Sequence, residues 1–310
     1  MAGRMTLWPW IVLGGLAAAP VIRERLRKPM DGVARNDAPG DFVGLSGGVT
    51  HYRWIGPIRG PVAVCVHGLT TPSPVWAPLA EELVAMGYRV LVYDLYGRGY
   101  SDAPGGRQDL DVFTNQLSEL LQALGVEGDV TLLGYSMGGS IAAHFTAAHP
   151  EMVRRLILIA PAGMVHDPGG MGRFAIQAPF LGDWLFHMVF PRSHRRVSRV
   201  GPDPRMAEIQ EAELARRGFV PSVLASLRAA LSQSLEAQHR EIARQGIPVL
   251  AIWGQADTVI PLSAMGQLAQ WNRDARQEQI PGADHSVAFS HAPQVAAFIR
   301  TTVRREHDPI

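Results

Sequence analysis

The order of apolar and polar positions divides this chain into legible parts. Two alternating segments, Asp41-Phe42-Val43 and Val49-Thr50-His51-Tyr52-Arg53-Trp54, flank Gly44-Leu45-Ser46-Gly47-Gly48 and predict an antiparallel hairpin. Val62-Ala63-Val64-Cys65-Val66 follows without alternation, which suits a strand buried on both faces. Similar runs recur at residues 89–94, 129–133, 155–161 and 248–254, with a shorter one at 277–280. Helical spacing fills the gaps at 75–86, at 109–124 and from Ser140 onward. This alternation predicts an α/β architecture, a mostly parallel central sheet with right-handed crossovers and helices on both faces.

The alternation stops between residues 164 and 246, where no comparable strand is legible. We therefore expect a core from 42–163 and 247–310, interrupted by a helical cap insertion at 164–246. The front of the insertion, Phe174-Ala175-Ile176 and residues 180–190, is strongly apolar. Most of those side chains are expected to pack on the sheet, and the rest to line an apolar pocket. Arg192, His194, Arg195, Arg196 and Arg199 follow and read as a solvated basic face, with lipid headgroup contact as a second reading.

Composition narrows the function classes. With 310 residues, 47% hydrophobic and 18% charged, the chain can bury a full core. A formal net charge of +1 gives no basic field for nucleic acid. The single cysteine, Cys65, excludes an intrachain disulfide and any cysteine-based metal cluster, and its apolar run marks it as a core residue. No metal or organic cofactor is implied.

Residues 1–41 stand apart as an apolar segment and a linker. Residues 7–22 carry no charge, and Arg23, Arg25, Arg27 and Lys28 follow with Glu24 alone opposing them. The first reading is a membrane contact through residues 7–28, with the basic side and the catalytic domain in the cytoplasm. The apolar stretch is shorter than the ~20 residues a spanning helix needs, and Pro9, Gly14, Gly15 and Pro20 weaken it. A signal peptide cleaved after Ala17-Ala18-Ala19, and so an exported protein, is a second reading, though the basic cluster beyond disfavours export. An apolar arm packed on a cytoplasmic domain is the third.

The chemistry is densest at Leu132-Leu133-Gly134-Tyr135-Ser136-Met137-Gly138-Gly139. A strand runs into a serine flanked by glycines, and a helix begins directly after it, which is the context of a nucleophile elbow. The pattern Gly-x-Ser-x-Gly recurs around Ser46, but there it lies in the hairpin turn with no helix behind it, so Ser46 reads as a turn residue. A serine hydroxyl needs a base and a group to orient that base. Gly254-Gln255-Ala256-Asp257 puts a carboxylate at the end of the fifth core strand, where sites of open sheets collect. Pro281-Gly282-Ala283-Asp284-His285-Ser286 then puts a histidine in a loop.

Those residues, with His67-Gly68 after the first parallel strand and Asp94-Leu95-Tyr96-Gly97-Arg98-Gly99-Tyr100-Ser101-Asp102 after the second, resemble the α/β-hydrolase superfamily of serine hydrolases over roughly residues 42–305. The elbow is similar to that of monoacylglycerol-lipase-like esterases. The resemblance implies Ser136 as nucleophile, His285 as base, Asp257 as its orienting acid, and backbone N–H groups of Leu69 and Met137 as the oxyanion hole. Asp284 adjoins His285 and competes with Asp257 less well, because loop neighbours seldom face each other. His67 reads as structural, Asp94 and Asp102 as carboxylates holding amides near Gly97 and Gly99, and His149 as a helix-end residue.

A serine at the elbow sets the chain apart from dehalogenases and epoxide hydrolases of the same resemblance, which use aspartate. Carbon–carbon bond hydrolases typically carry a glycine-rich loop after His-Gly and an asparagine before the serine; here stand Leu69-Thr70-Thr71-Pro72 and Tyr135. The expectation is a hydrolase of a small-molecule carboxylic ester with an apolar acyl group. Carbon–carbon hydrolysis, acyl transfer and a non-catalytic binding role are the alternatives.

Overall fold

The computed structural model describes residues 8–164, 169–201 and 203–307. Eight strands form one sheet: β1 (Asp41–Leu45), β2 (Gly48–Ile55), β3 (Val62–Val66), β4 (Arg89–Tyr93), β5 (Val130–Tyr135), β6 (Val153–Ile159), β7 (Val249–Gly254) and β8 (Arg276–Ile280). Their spatial order is β1-β2-β4-β3-β5-β6-β7-β8. The pairs β1/β2 and β2/β4 are antiparallel, and the others are parallel. The predicted hairpin is present, and Ser46 sits at its tip with its N–H and Oγ bonded to Glu119.

Alternate residues of the central strands face opposite layers. Val64 and Val66 join one buried cluster, while Ala63 and Cys65 join the other. Cys65 is fully buried, and burial pushes its thiol well above the usual range. The helices are α1 (Trp8–Arg25), α2 (Gly32–Arg35), α3 (Ala77–Ala85), α4 (Leu110–Ala123), α5 (Met137–Ala148), α6 (Gly169–Gln177), α7 (Leu181–Val200), α8 (Pro204–Glu213), α9 (Phe219–Arg228), α10 (Glu236–Arg244), α11 (Ser263–Trp271), α12 (Val287–Ser290) and α13 (Ala292–His307). Capping starts several of them: Asp109 accepts from the Val112 amide at α4, and Asp203 from those of Arg205 and Met206 at α8.

Among the described residues, 169–246 contain helices and no strand. Their apolar face departs from expectation. Ala175, Phe186, Leu214, Phe219, Val220, Val223 and Leu224 bury one another in a separate small cluster, so the front of this segment packs on its own helices and not on the sheet. The cause is periodicity: each helix has one apolar stripe, and neighbouring helices use it up. Helix α10 differs, because Ile242 joins a core cluster and the helix lies against α5 and α11.

Helix α1 lies against α7. The Trp184 indole N–H donates to Leu16 O at 2.8 Å, and the Glu24 carboxylate accepts the Gly218 amide at 2.6 Å. Trp8, Trp10, Leu16, Val21 and Ile22 remain exposed. No helix among the described residues is long and apolar enough to cross a membrane. Leu7 and residues 165–168, which fall within the expected apolar segment and insertion, lie outside the described residues.

Candidate active site

The strand order itself places the site. The chain runs from β3 to β4 on one side and from β5 to β6 on the other, so β3 and β5 are neighbours whose following loops diverge. Ligands of open α/β sheets collect at such a switch point, beyond the carboxyl ends of the strands. The loop at 67–71 follows β3, Ser136 follows β5, Asp257 follows β7 and His285 follows β8.

Ser136 adopts φ 54° and ψ −120°, a strained conformation for a residue with a side chain. Backbone bonds hold it there: its N–H donates to Ile159 O at 3.0 Å, and its carbonyl accepts the Gly139 and Ala162 amides at 2.9 and 3.0 Å. The flanking glycines are sterically required. A Cβ on Gly134 would collide with the Gly138 carbonyl, and one on Gly138 with the Val66 carbonyl. This close passage lets α5 start under the serine.

The structure brings together Ser136, His285 and Asp257. Ser136 Oγ and His285 Nε2 are 3.0 Å apart, and His285 Nδ1 and Asp257 Oδ2 are 2.7 Å apart. Oδ1 of Asp257 accepts the amides of Val259 and Ile260 at 2.7 and 2.8 Å, which leaves Oδ2 facing the imidazole. Nδ1–H therefore donates to Asp257, and Nε2 is left to accept the Ser136 proton. Asp284 turns away and accepts from its own neighbour, the Ser286 amide at 2.8 Å and the Ser286 hydroxyl.

Leu69 lines the same cavity as Ser136. Met137 is the residue after the serine, and a Cβ built on Gly68 would lie 3.3 Å from the Ser136 Cβ. His67 is buried and holds the turn: Nδ1–H donates to Gly68 O at 2.8 Å, and Nε2 accepts the Leu95 amide at 2.9 Å. Burial pulls its imidazole down to about 4, so it serves as a neutral strut.

Asp94 accepts the Ser73 and Tyr100 amides at 2.8 and 2.9 Å, close to the turn expected. It also pairs with His51 at 2.7 Å, a partner the sequence reading missed. Burial opposes both charges, yet the mutual bond prevails, raising His51 and holding Asp94 well below the usual carboxylate range. Asp102 departs from expectation: its backbone carbonyl, and not its carboxylate, accepts the Gly97 amide at 2.8 Å, while the carboxylate binds the Val49 amide and Arg35. His149 caps α5 and lies 4.8 Å from the Phe145 ring.

A cavity of about 620 Å³ opens over Ser136. Its cover comes from the second half of α7 and from α8, with Val197, Val200, Met206 and His194 among the lining, and not from the apolar front of the insertion. His194 was expected on a solvated face but is half-buried, stacked on Phe190 at 5.2 Å. Burial pulls it down to about 4. Arg199 stays on the surface with Glu211.

Two further residues went unrecognised in the sequence. The Tyr135 hydroxyl donates to His285 O at 2.8 Å and so braces the histidine loop from the elbow. Glu213 is buried at the end of α8, where it accepts the Gly99 amide at 2.8 Å; burial pushes its carboxyl up to about 7, against the pull of Arg216 at 3.3 Å. The tyrosine's place beside the serine was a usable signal, whereas nothing local marks the glutamate.

Sheet order, elbow and switch-point site together define a hydrolase-type α/β fold. A family model described as alpha/beta hydrolase fold matches residues 61–292, and the chain belongs to that family. It is 29% identical to the 2-hydroxymuconate semialdehyde hydrolase of Pseudomonas sp. (strain CF600), over 76% of this chain and 83% of that protein. It is 30% identical to the pimeloyl-[acyl-carrier protein] methyl ester esterase of Chromobacterium violaceum, over 75% and 90%. Among solved structures, a bacterial membrane phospholipase A superposes with a TM-score of 0.71 at 20% identity, covering 98% of this chain and 97% of its own. That last likeness is one of fold.

Proposed function

We propose that this protein is a serine hydrolase that cleaves a carboxylic ester of an apolar acyl group through an acyl-enzyme. The observation that carries the reading is the run of contacts from Ser136 through His285 to Asp257, opening on an apolar-rimmed cavity. Ser136 Oγ attacks the acyl carbonyl while His285 takes its proton and passes it to the departing alcohol. Water, activated by the same histidine, then releases the acid. Asp257 holds the imidazolium that forms in each half, and the Leu69 and Met137 amides receive the negative oxygen. The C. violaceum relative, named as a methyl ester esterase, supports ester chemistry. The exposed apolar side chains of α1 and the exposed Arg25 at its end support contact of that helix with a lipid surface.

The test is hydrolysis of p-nitrophenyl esters of increasing acyl length by wild type and Ser136→Ala. The expected result is serine-dependent turnover, reduced by about 10⁶-fold in the variant. Folded wild-type protein that cleaves none of them would sink the ester reading. The second reading is carbon–carbon hydrolysis, favoured by the likeness to the semialdehyde hydrolase. A ring-cleavage dienol ketone as substrate separates the two.

A further inference from the structure

Arg98 stands between Gly97 and Gly99 in the loop after β4, and its side chain is almost fully buried. All five of its N–H donors are used. Nε–H donates to Leu69 O at 3.1 Å; Nη1 to Tyr96 O and Gln108 Oε1 at 2.8 and 2.7 Å; Nη2 to Ser222 O and Ser226 Oγ at 3.3 and 2.8 Å. Every acceptor is a neutral oxygen. The buried Glu213 carboxylate favours the charge but is bonded to the Gly99 amide and Arg216, and burying a cation with no carboxylate bonded to it is expensive, so a simple strut between loop and helix would be better made from apolar or neutral groups. A guanidinium offers something else, a rigid planar fork that fixes several groups relative to one another.

The groups so fixed belong to two different parts of the molecule. Ser222 and Ser226 lie on α9 of the insertion, and Leu69 is in the loop beside the nucleophile. Gly68 O and Leu69 N–H share one peptide plane, which His67 holds through the Gly68 carbonyl. Arg98 holds the next plane through the Leu69 carbonyl. The two planes meet at the Leu69 Cα, so the direction of the Leu69 N–H depends on both.

We propose that Arg98 is a positioning residue, whose guanidinium ties α9 to the Leu69 carbonyl so that the Leu69 N–H reaches the oxyanion position when α9 is seated. This rests on the reading of Ser136 as nucleophile and of Leu69 as an oxyanion donor. Seating of the insertion and stabilisation of the transition state are then one event. Loss of the tie leaves substrate binding largely intact and weakens the transition state, since the oxyanion gains its charge only there.

The experiment compares wild type, Arg98→Lys and Ser226→Ala by two readouts: kcat and KM on a p-nitrophenyl ester, and the rate at which a p-nitrophenyl alkylphosphonate labels Ser136. The phosphonyl oxygen takes the oxyanion's place in the second. Arg98→Lys keeps the charge but not the fork, and its kcat is expected to fall about 100-fold, with KM within about threefold and labelling slowed in parallel. Ser226→Ala, which removes the Arg98 bond on the α9 side together with the hydroxyl's own bond to Gln108, should lose about fivefold in the same two readouts. A folded Arg98→Lys with kcat and labelling near wild type, or with its loss in KM, overturns the proposal. Should Arg98→Lys not fold, unchanged kcat and labelling in Ser226→Ala overturn it. A wild type that neither turns over ester nor is labelled at Ser136 overturns the hydrolase reading and this inference with it. Labelling without ester turnover overturns the ester reading alone, and the labelling rates of the variants still decide the inference.

Discussion

The carboxyl edge of the sheet and the helices above it are built on different terms. At the edge, backbone strain is accepted and then held: Ser136 and Ala160 keep positive φ, and both Asp257 oxygens are engaged. In the cover, α6, α7 and α9 share a small apolar cluster with Leu214, α8 sends Met206 into the core beneath, and Val197 and Val200 stay exposed at 70% and 82%. The chemistry thus stands on a tightly held base, beneath helices that bury a smaller apolar cluster of their own. Each of the following changes breaks or sharpens that contrast.

The sharpest break at the edge is Asp257→Asn. The amide keeps an acceptor for the Val259 and Ile260 amides, so the fold should stand, but it no longer orients the Nδ1–H tautomer of His285. kcat on an ester should fall about 10⁴-fold with an unchanged melting temperature. A loss below tenfold would remove Asp257 from the mechanism. Gly138→Ala breaks the elbow itself: its methyl would meet the Val66 carbonyl, backbone that has no room to shift. A loss of about 3 kcal/mol in urea-unfolding free energy is expected, against a gain of about 0.5 to 1 kcal/mol for the same change at Gly266 in the interior of α11, where a Cβ meets nothing. Equal costs would show that the elbow is not tightly packed.

Glu213 joins the two regions, from α8 to the Gly99 amide, and it tests the contrast through pH. Its carboxyl stands at about 7 in the fold against 4.5 ordinarily, because burial disfavours its charge; Arg216 and Arg98 oppose this and Asp94 adds to it. A raised carboxyl binds its proton more tightly in the folded state. Its contribution to stability is therefore full below pH 4.5 and is lost as pH rises through about 7. Glu213→Gln keeps an acceptor for Gly99 without the titration. Between pH 4.5 and 8 the variant should gain on wild type by on the order of 3 kcal/mol in urea unfolding. A constant difference across that range would show that the carboxyl is not held in a raised state.

What could be read in the sequence follows the same division. Strand runs such as 62–66 carry their own signal, since a buried parallel strand must be apolar throughout, and the elbow glycines announce a backbone crossing that no other residue fits. Ser136, Asp257 and His285 were legible because each closes a strand or sits in a short loop behind one. The cover was not legible beyond its helicity. An apolar stripe on a helix does not say which neighbour will bury it: of residues 180–190, expected on the sheet, Phe186 buries against α9 and its neighbours while Phe180 and Leu181 stay exposed. His194 was read as part of a charged run, yet one helical turn after Phe190 it stacks on that ring. Glu213 and Arg98 depend on contacts between segments more than 100 residues apart, which no local pattern encodes.

The smallest effect expected concerns the rim of the cavity, where the cover has most freedom. Val197 and Val200 line the opening and are largely exposed, so they contribute little to folding and are available to an acyl chain. Replacing both by aspartate adds two well-hydrated charges that an apolar chain must pass. The melting temperature should stay within about 2 °C, as for surface sites away from special features. kcat/KM for a p-nitrophenyl ester with a long acyl chain should fall about tenfold, the worth of one or two buried methylenes, while the acetyl ester loses less than about twofold. Equal losses on both esters would mean that the acyl chain does not cross this rim. In that case the substrate would enter from the side of Val259 and Phe289, and the cover would shield the nucleophile without selecting what reaches it.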